Sequence, residues 1–253
     1  MKFWPGLAIA AAATMLSGCN GDFNISSSSD GVPLAELDYE GARPTNISLA
    51  GPDKVIVTSG DTLTIDVEGD SGVTENLRFD LEDDSLEIGR AGDWRRSDVA
   101  TIRVTMPSPD RVSMAGSGML TVDRLGSGDD AEITIAGSGK TDIGQIKADS
   151  LEVNVAGSGS LKAAGTARTL ELSIAGSGEL DLRNLNVEDA DVSIAGSGDA
   201  VFASDGSVEA SIMGSGTVEV LGNASCSVSS MGSGELKCRK RTAGSGAAAE
   251  DAE

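Results

Sequence analysis

From its middle to near its end, this chain repeats the tetrapeptide Ala-Gly-Ser-Gly or a close variant, always between two short apolar-alternating runs. The Gly-Ser-Gly units begin at Gly116, Gly137, Gly157, Gly176, Gly196, Gly214 and Gly232, in steps of 21, 20, 19, 20, 18 and 18 residues. Self-similarity at such a period marks stacked copies of one supersecondary unit, each burying its apolar face against the next.

Aligned on the first Gly of each unit, the flanks alternate with period two, as half-buried strands do. Two inward columns precede the corner, running Val112, Ile133, Val153, Leu172, Val192, Ala210, Val228 and Met114, Ile135, Val155, Ile174, Ile194, Ile212, Ser230. Two follow it, from Leu120 to Leu236 and from Val122 to Cys238. A weaker column, Leu125, Ile146, Thr166 and Leu185, predicts a short third side. Strands of four or five residues with corners between them make an all-β fold, a parallel β-helix with coils of about 20 residues. Glycine suits a corner that needs positive φ or close approach of the coil beneath. The corner serines, and an outward polar row at Ser113, Thr134, Asn154, Ser173, Ser193, Ser211 and Ser229, read either as a binding face or as solvated turn chemistry.

The N-terminal residues address the chain to the envelope. Lys2 and the apolar stretch Leu7 to Met15 read as a signal peptide over 1–18, too short to span a bilayer. It ends Leu16-Ser17-Gly18-Cys19, which resembles a bacterial lipobox and makes Cys19 the lipidated first residue of the mature protein. Asn20, in place of an aspartate, favours an outer-membrane lipoprotein facing the periplasm or the cell surface. Residues 19–43, rich in Ser and Gly, read as a flexible tether. Residues 44–110 alternate in short runs with Gly and Asp between, an irregular β segment that caps the stack or forms its first coils. The repeat β-helix occupies 111–241, and 242–253 reads as a disordered tail.

Charge narrows the partners. With 40 acidic against 19 basic residues the net charge is −21, which disfavours nucleic acid because phosphate binding needs positive charge. One outward row carries an acid in five consecutive coils, Glu132, Glu152, Glu171, Asp191 and Glu209. This ladder reads as a hydrated face that limits aggregation, or as a weak Ca²⁺ or ligand ladder. No cofactor is implied. The cluster Lys237, Arg239, Lys240 and Arg241 reads as a local charge balance or as a contact for phosphate groups of a membrane surface. Once Cys19 is lipidated, Cys226 and Cys238 remain, six residues either side of Gly232, as a disulfide across the last coil or as two buried thiols. The absence of histidine removes the commonest general base. Trp94, beside Arg95 and Arg96, is the candidate contact loop, with packing against the first coils as the plainer reading.

Together the lipobox, the segment from Ile47-Ser48-Leu49 through Gly51-Pro52 to Val57, the run Asp84 to Ile88 and the ladder of Ala-Gly-Ser-Gly units resemble a bacterial family labelled putative auto-transporter adhesin, head GIN domain. The resemblance covers residues 44 to 238 and implies a right-handed β-helix, secreted to the envelope, with no catalytic residues to carry over. The expected function is non-catalytic, adhesin-like binding of a glycan or other surface polymer by a protein held to the membrane through its lipid anchor. A self-assembling structural element and a polysaccharide-active enzyme are the competing classes. A compact cluster of acids with Lys or Arg in a groove would favour the enzyme. The sequence leaves the oligomeric state open.

Overall fold

A computed structural model describes residues 31–92 and 98–240 of the chain. The N-terminal part forms strands β1 (Asn46–Gly51), β2 (Lys54–Ser59), β3 (Thr64–Glu68), β4 (Leu77–Glu82), β5 (Ser85–Arg90) and β6 (Thr101–Met106), with a 3₁₀ turn at Leu34–Glu36 and a single α-helical turn at Ser71–Thr74. The repeats form β7 (Arg111–Gly116), β8 (Met119–Leu125), β9 (Asp130–Gly137), β10 (Lys140–Gly157), β11 (Ser160–Gly176) and β12 (Glu179–Gly196). They continue as β13 (Asp199–Ser204), β14 (Ser207–Gly214), β15 (Thr217–Leu221), β16 (Ser225–Gly232) and β17 (Glu235–Arg239). The seven Gly-Ser-Gly corners delimit a parallel β-solenoid of about six turns with coils of about 20 residues.

The first side stacks β7, β9, the second halves of β10 to β12, β14 and β16; the second side stacks β8, the first halves of β10 to β12, β13, β15 and β17. All these pairings are parallel and join each residue to its counterpart one repeat on. The inward columns read from the alternation are buried through the body of the rod, as at Ile133, Val153, Leu172 and Val192. Burying each such side chain contributes about 1.5–3 kcal/mol relative to exposure. A further inward column, Ala131, Leu151, Leu170, Ala190 and Val208, widens the first side to three buried rows.

The third side departs from expectation. Its column runs Leu125, Ile146, Gly165, Leu185, and Thr166 is exposed on the outside. The cause is a register shift between Ile143 and Ile146, answered by another between Lys162 and Ala164, which moves the 19-residue coil by one position. A Cβ at Gly165, at φ 134°, would strike the carbonyl oxygen of Ile146, so only glycine fits there. The buried hydroxyl of Thr141, in the column between Leu120 and Leu161, has no hydrogen-bond partner, an uncompensated polar group inside the rod.

The corners are held by the main chain. At Gly176 φ is 129°, and an added Cβ would run into the carbonyl oxygen of Gly157. That carbonyl accepts the N–H of Ser177 at 2.8 Å, and the same bond recurs from Ser138 to Gly116, Ser158 to Gly137, Ser197 to Gly176 and Ser233 to Gly214. The hydroxyls of Ser138 through Ser233 point away from this ladder into solvent.

The N-terminal segment is woven into the stack out of sequence order. β1 lies between β5 and β7, and β2 between β6 and β8. Antiparallel β4 and β3 then flank β5 and β6 at that end. The first coil turns through Gly51-Pro52-Asp53, aligned with Gly116, so Asp53 takes the place that the second corner glycine has above it. Its carboxylate is fully buried and accepts Arg90 Nε at 2.7 Å, Arg90 Nη2 at 2.5 Å and the Ala100 N–H at 2.7 Å. This bidentate pair ties the first corner to the end of β5.

Residues 31–43, read as part of a flexible tether, are instead docked on the fold: Val32 exchanges backbone hydrogen bonds with Phe79 of β4 at 2.8 and 2.9 Å, and Leu34, Leu37, Tyr39 and Ala42 pack against the core. β4 otherwise presents an open edge, and a few apolar side chains suffice to cover it. The other end of the rod is different. On β16 and β17 the inward residues Val228, Ser230 and Cys238 are exposed, Val228 to 49%.

Two outcomes follow. Gly176→Ala should lower the unfolding free energy by at least about 1–3 kcal/mol for the strained φ alone, whereas Ser177→Ala should stay within about 0.5 kcal/mol of the parent in denaturant melts. Asp53→Ala, which strands a buried guanidinium, should cost about 3–5 kcal/mol, and Asp53→Ala/Arg90→Met should recover most of that loss.

Candidate binding surfaces

The acidic ladder lies in perfect register. Glu132, Glu152, Glu171, Asp191 and Glu209 are consecutive partners on the first side, and Ser227 ends the row. Its lower members are already engaged. Arg111 Nε sits 2.7 Å from Glu132 Oε2, the Thr134 hydroxyl donates to Glu132 at 3.1 Å, and Asn154 Nδ2 donates to Glu152 at 2.7 Å. The neighbouring polar row thus serves the acids in these two coils. One acid per coil at strand spacing makes a file rather than a cage, and Ca²⁺ takes six to eight converging oxygens. Among the described residues no group of three or more acids, cysteines or histidines converges on a point. Other carboxylates are structural: Asp189, Asp199 and Asp205 accept the N–H of Ser207, Thr217 and Asn223 one 18-residue coil later, at 2.9, 2.9 and 2.8 Å.

The structure joins Cys226 to Cys238 in a disulfide, with Cα atoms 6.7 Å apart. They stack on Val208 and Val220, the apolar pair of the coil beneath. In place of a buried position, Cys226 is half-buried and Cys238 exposed, because no coil lies over them among the described residues. A covalent link closing so short a loop contributes about 3 kcal/mol in the loop-entropy model. Lys237 pairs with Glu235 at 2.6 Å and Arg239 with Glu219 at 3.4 Å, so part of the basic cluster is spent within its own end of the rod. Cys19, the Trp94, Arg95 and Arg96 loop and Arg241 lie outside the described residues.

A recessed surface that the sequence analysis did not single out lies on the second side. A groove of about 310 Å³ is lined by Met119, Lys140, Asp142, Lys162, Glu179 and Asp181, with the smaller Ser160 and Thr121 among them. In the strand register Lys162 stands between Asp142 and Asp181, and Lys140 between Met119 and Ser160. Small side chains flanked by long ones leave the recess. Both lysines are exposed and make no ion pair among the described residues, whereas Asp181 is held by Arg183 at 2.6 Å. The side chains are open to water and stand one or two to a coil. The signal for it in the sequence is the alternation of sign along the outward row after the corner, at Asp142, Lys162 and Asp181. A second recess of about 470 Å³ lies between the docked arm at Leu37 to Gly41 and Thr62-Leu63.

With this geometry in hand, comparison with known proteins is decisive for kinship. Residues 43–224 match the model of the family described as putative auto-transporter adhesin, head GIN domain. The chain belongs to that family. The head GIN match ends one residue before β16, so the disulfide-bearing terminal coil lies beyond it. A crystal structure of a putative adhesin from Bacteroides fragilis is 22% identical, with a TM-score of 0.71 over 79% of this chain and 94% of that one. A putative lipid binding protein from Parabacteroides distasonis gives 21% and 0.61 over 79% and 94%. A putative adhesin from Parabacteroides merdae gives 19% and 0.58 over 78% and 92%. At these identities the likeness is one of fold. No protein of curated function matches the sequence.

Acid crowding also marks the head GIN cap. On β5, Glu87 faces Asp80 across the antiparallel pair, and burial, then the charges of Asp80 and Glu82, raise its carboxyl above the ordinary glutamate value of 4.5. A carboxyl raised in the folded state favours folding below its unfolded value, and that advantage is lost as pH rises through the folded value. Glu87→Gln should therefore melt higher than the parent at pH 7, and the gain should vanish below pH 4.5.

Proposed function

We propose that this head GIN protein is a lipid-anchored envelope protein, held through Cys19, that binds a hydroxyl-rich surface polymer, a glycan above all, along the groove of its second side. The observation that carries this reading is the rigid recess with Lys140 and Lys162 set in register among Asp142, Glu179 and Asp181. Ammonium groups donate hydrogen bonds, carboxylates accept them, and Met119 offers an apolar face, which together suit a neutral polyhydroxyl chain. Near balance of charge inside the groove matters, because elsewhere the molecule is strongly acidic and repels anionic polymers. The adhesin description of the family and of two structural neighbours supports a binding role.

The groove does combine acids with lysines, the combination that would point to a polysaccharide-active enzyme. Its groups are exposed and file along the strands, whereas acid–base catalysis needs carboxylates converging on one bond in a site that excludes water. Binding is the better fit.

The test is retention of the mature chain on immobilised bacterial and host glycans, with and without Ca²⁺, following both bound protein and released sugar. Lys140→Ser/Lys162→Ser should weaken retention about tenfold or more, the loss of two charged hydrogen-bond donors. Glu171→Ser/Asp191→Ser on the first side should leave it unchanged. Loss in the second variant alone would move the site to the acidic ladder, released sugar would overturn the non-catalytic reading, and failure to bind any glycan would overturn the proposal.

A further inference from the structure

The two ends of the rod are finished differently. At the N-terminal end β3 and β4 flank the stack in antiparallel fashion, the arm at Val32 bonds to β4, and exposed edge residues include Asp66 and Glu68. At the other end, among the described residues, β16 pairs only with β14 and β17 only with β15, so one face of each is an open edge. The bonding parity identifies what that edge offers. Ser225 and Glu235 donate downwards, to Gly206 and Gly216, at 2.8 and 3.0 Å. In a parallel ladder alternate residues serve opposite neighbours. The N–H and C=O groups of Cys226, Val228, Ser230, Leu236 and Cys238 therefore face outward along the rod axis.

On β16 the edge also lacks the usual deterrents. Strands at a sheet edge are normally defended by charge, proline or a covering segment. The five repeat strands beneath β16 on the first side, β14 and β12 down to β9, each carry an acid in the same row, from Glu209 to Glu132, yet β16 reads Ser-Cys-Ser-Val-Ser-Ser-Met-Gly with no charge at all. Val228 is 49% exposed and Met231 72%. The disulfide staples β16 to β17 so that the edge is held in strand geometry without a coil above it. Residues 241–253 contain no apolar side chain larger than alanine to set over Val228 and Leu236.

We infer that the open coil formed by β16 and β17 is the docking surface for the same coil of a second copy of this chain, joined about a two-fold axis. A self-complementary patch gives an isologous contact, and because the opposite end is closed by antiparallel strands, assembly stops at the dimer rather than running on as a filament. Antiparallel pairing about the two-fold satisfies the outward backbone groups and covers Val228 on both copies. The cations of β17 do not oppose it, since Lys237 and Arg239 are paired within their own copy. In such a dimer the two N-terminal caps lie at opposite poles. Resting on the lipid anchor proposed above, this arrangement would tie one envelope surface to another.

The experiment is sedimentation equilibrium and small-angle scattering on residues 20–253, the mature chain without its lipidated Cys19, up to about 200 µM because the end of one β-helix is a small interface. The parent should sediment at twice the monomer mass, with a maximum dimension nearly double that of a monomeric variant. Ser227→Lys/Ser229→Lys, which places charge on the edge strand, should raise the dissociation constant at least about tenfold. Ser230→Pro removes an outward donor without touching the ladder to β14 and should do the same, with thermal melting close to the parent. A monomer at the highest concentration, a ladder of larger oligomers, or a dimer no longer than its monomer would each overturn the inference. Dimerisation seen only after deletion of residues 241–253 would make that segment the occupant and overturn it too. None of these readouts depends on glycan binding or on lipidation.

Discussion

The rod depends on one contact repeated up its axis: the backbone of each glycine corner lying directly on the corner below. The Ser N–H to Gly carbonyl bond at 2.8 Å, made from coil to coil, is possible only because no Cβ stands between them. That bond keeps successive coils in exact register, and from register the rest follows. Valine stacks on isoleucine and leucine in the same column, and outward rows become straight files of like side chains. A glycine ladder is weak by propensity, since glycine surrenders the most backbone freedom on folding. Here the close approach it permits outweighs that cost by letting every neighbouring apolar column meet its counterpart.

A stack of this kind stabilises its middle and leaves its ends to other means. At the N-terminal end the chain departs from repetition, inserts β1 and β2 between later strands, and pins the first corner with the buried Asp53–Arg90 pair. A buried ion pair gains little over well-packed apolar groups, but its geometry is exacting, which suits a place where the repeat gives way to a cap and the register needs a marker. At the C-terminal end the solution is covalent. Cys226 and Cys238 occupy columns where valines stand one coil earlier, and the link compensates for packing that no further coil supplies among the described residues. The unpaired edge it leaves, uncharged on β16, is the feature on which the inferred self-association rests.

The proposed function sits on the outward rows, which stacking leaves free to vary. The first side spends its acids partly on Arg111, Thr134 and Asn154, and the 18-residue coils use Asp189, Asp199 and Asp205 to cap the next coil's amides. The second side keeps Lys140 and Lys162 unspent beside a recess. On a molecule with net charge −21, such cations are the natural place for a partner to be held.

By itself, the sequence determined the class of fold, the coil length, the corner glycines and the main buried columns, because period-two alternation and a fixed repeat are local signals written into every coil. The family kinship was legible for the same reason. Only the tertiary structure decided what depends on neighbours distant in the chain. A one-residue register shift put Gly165 rather than Thr166 on the third-side column, the arm from Val32 found the edge of β4, and β1 lodged between β5 and β7. Of the surfaces, the acidic ladder could be read in advance, since it is one residue type at one repeat position. The groove could not, because a recess arises from differences in side-chain length between adjacent coils, as at Lys140, Ser160 and Glu179, and those differences acquire a shape only when the coils are stacked.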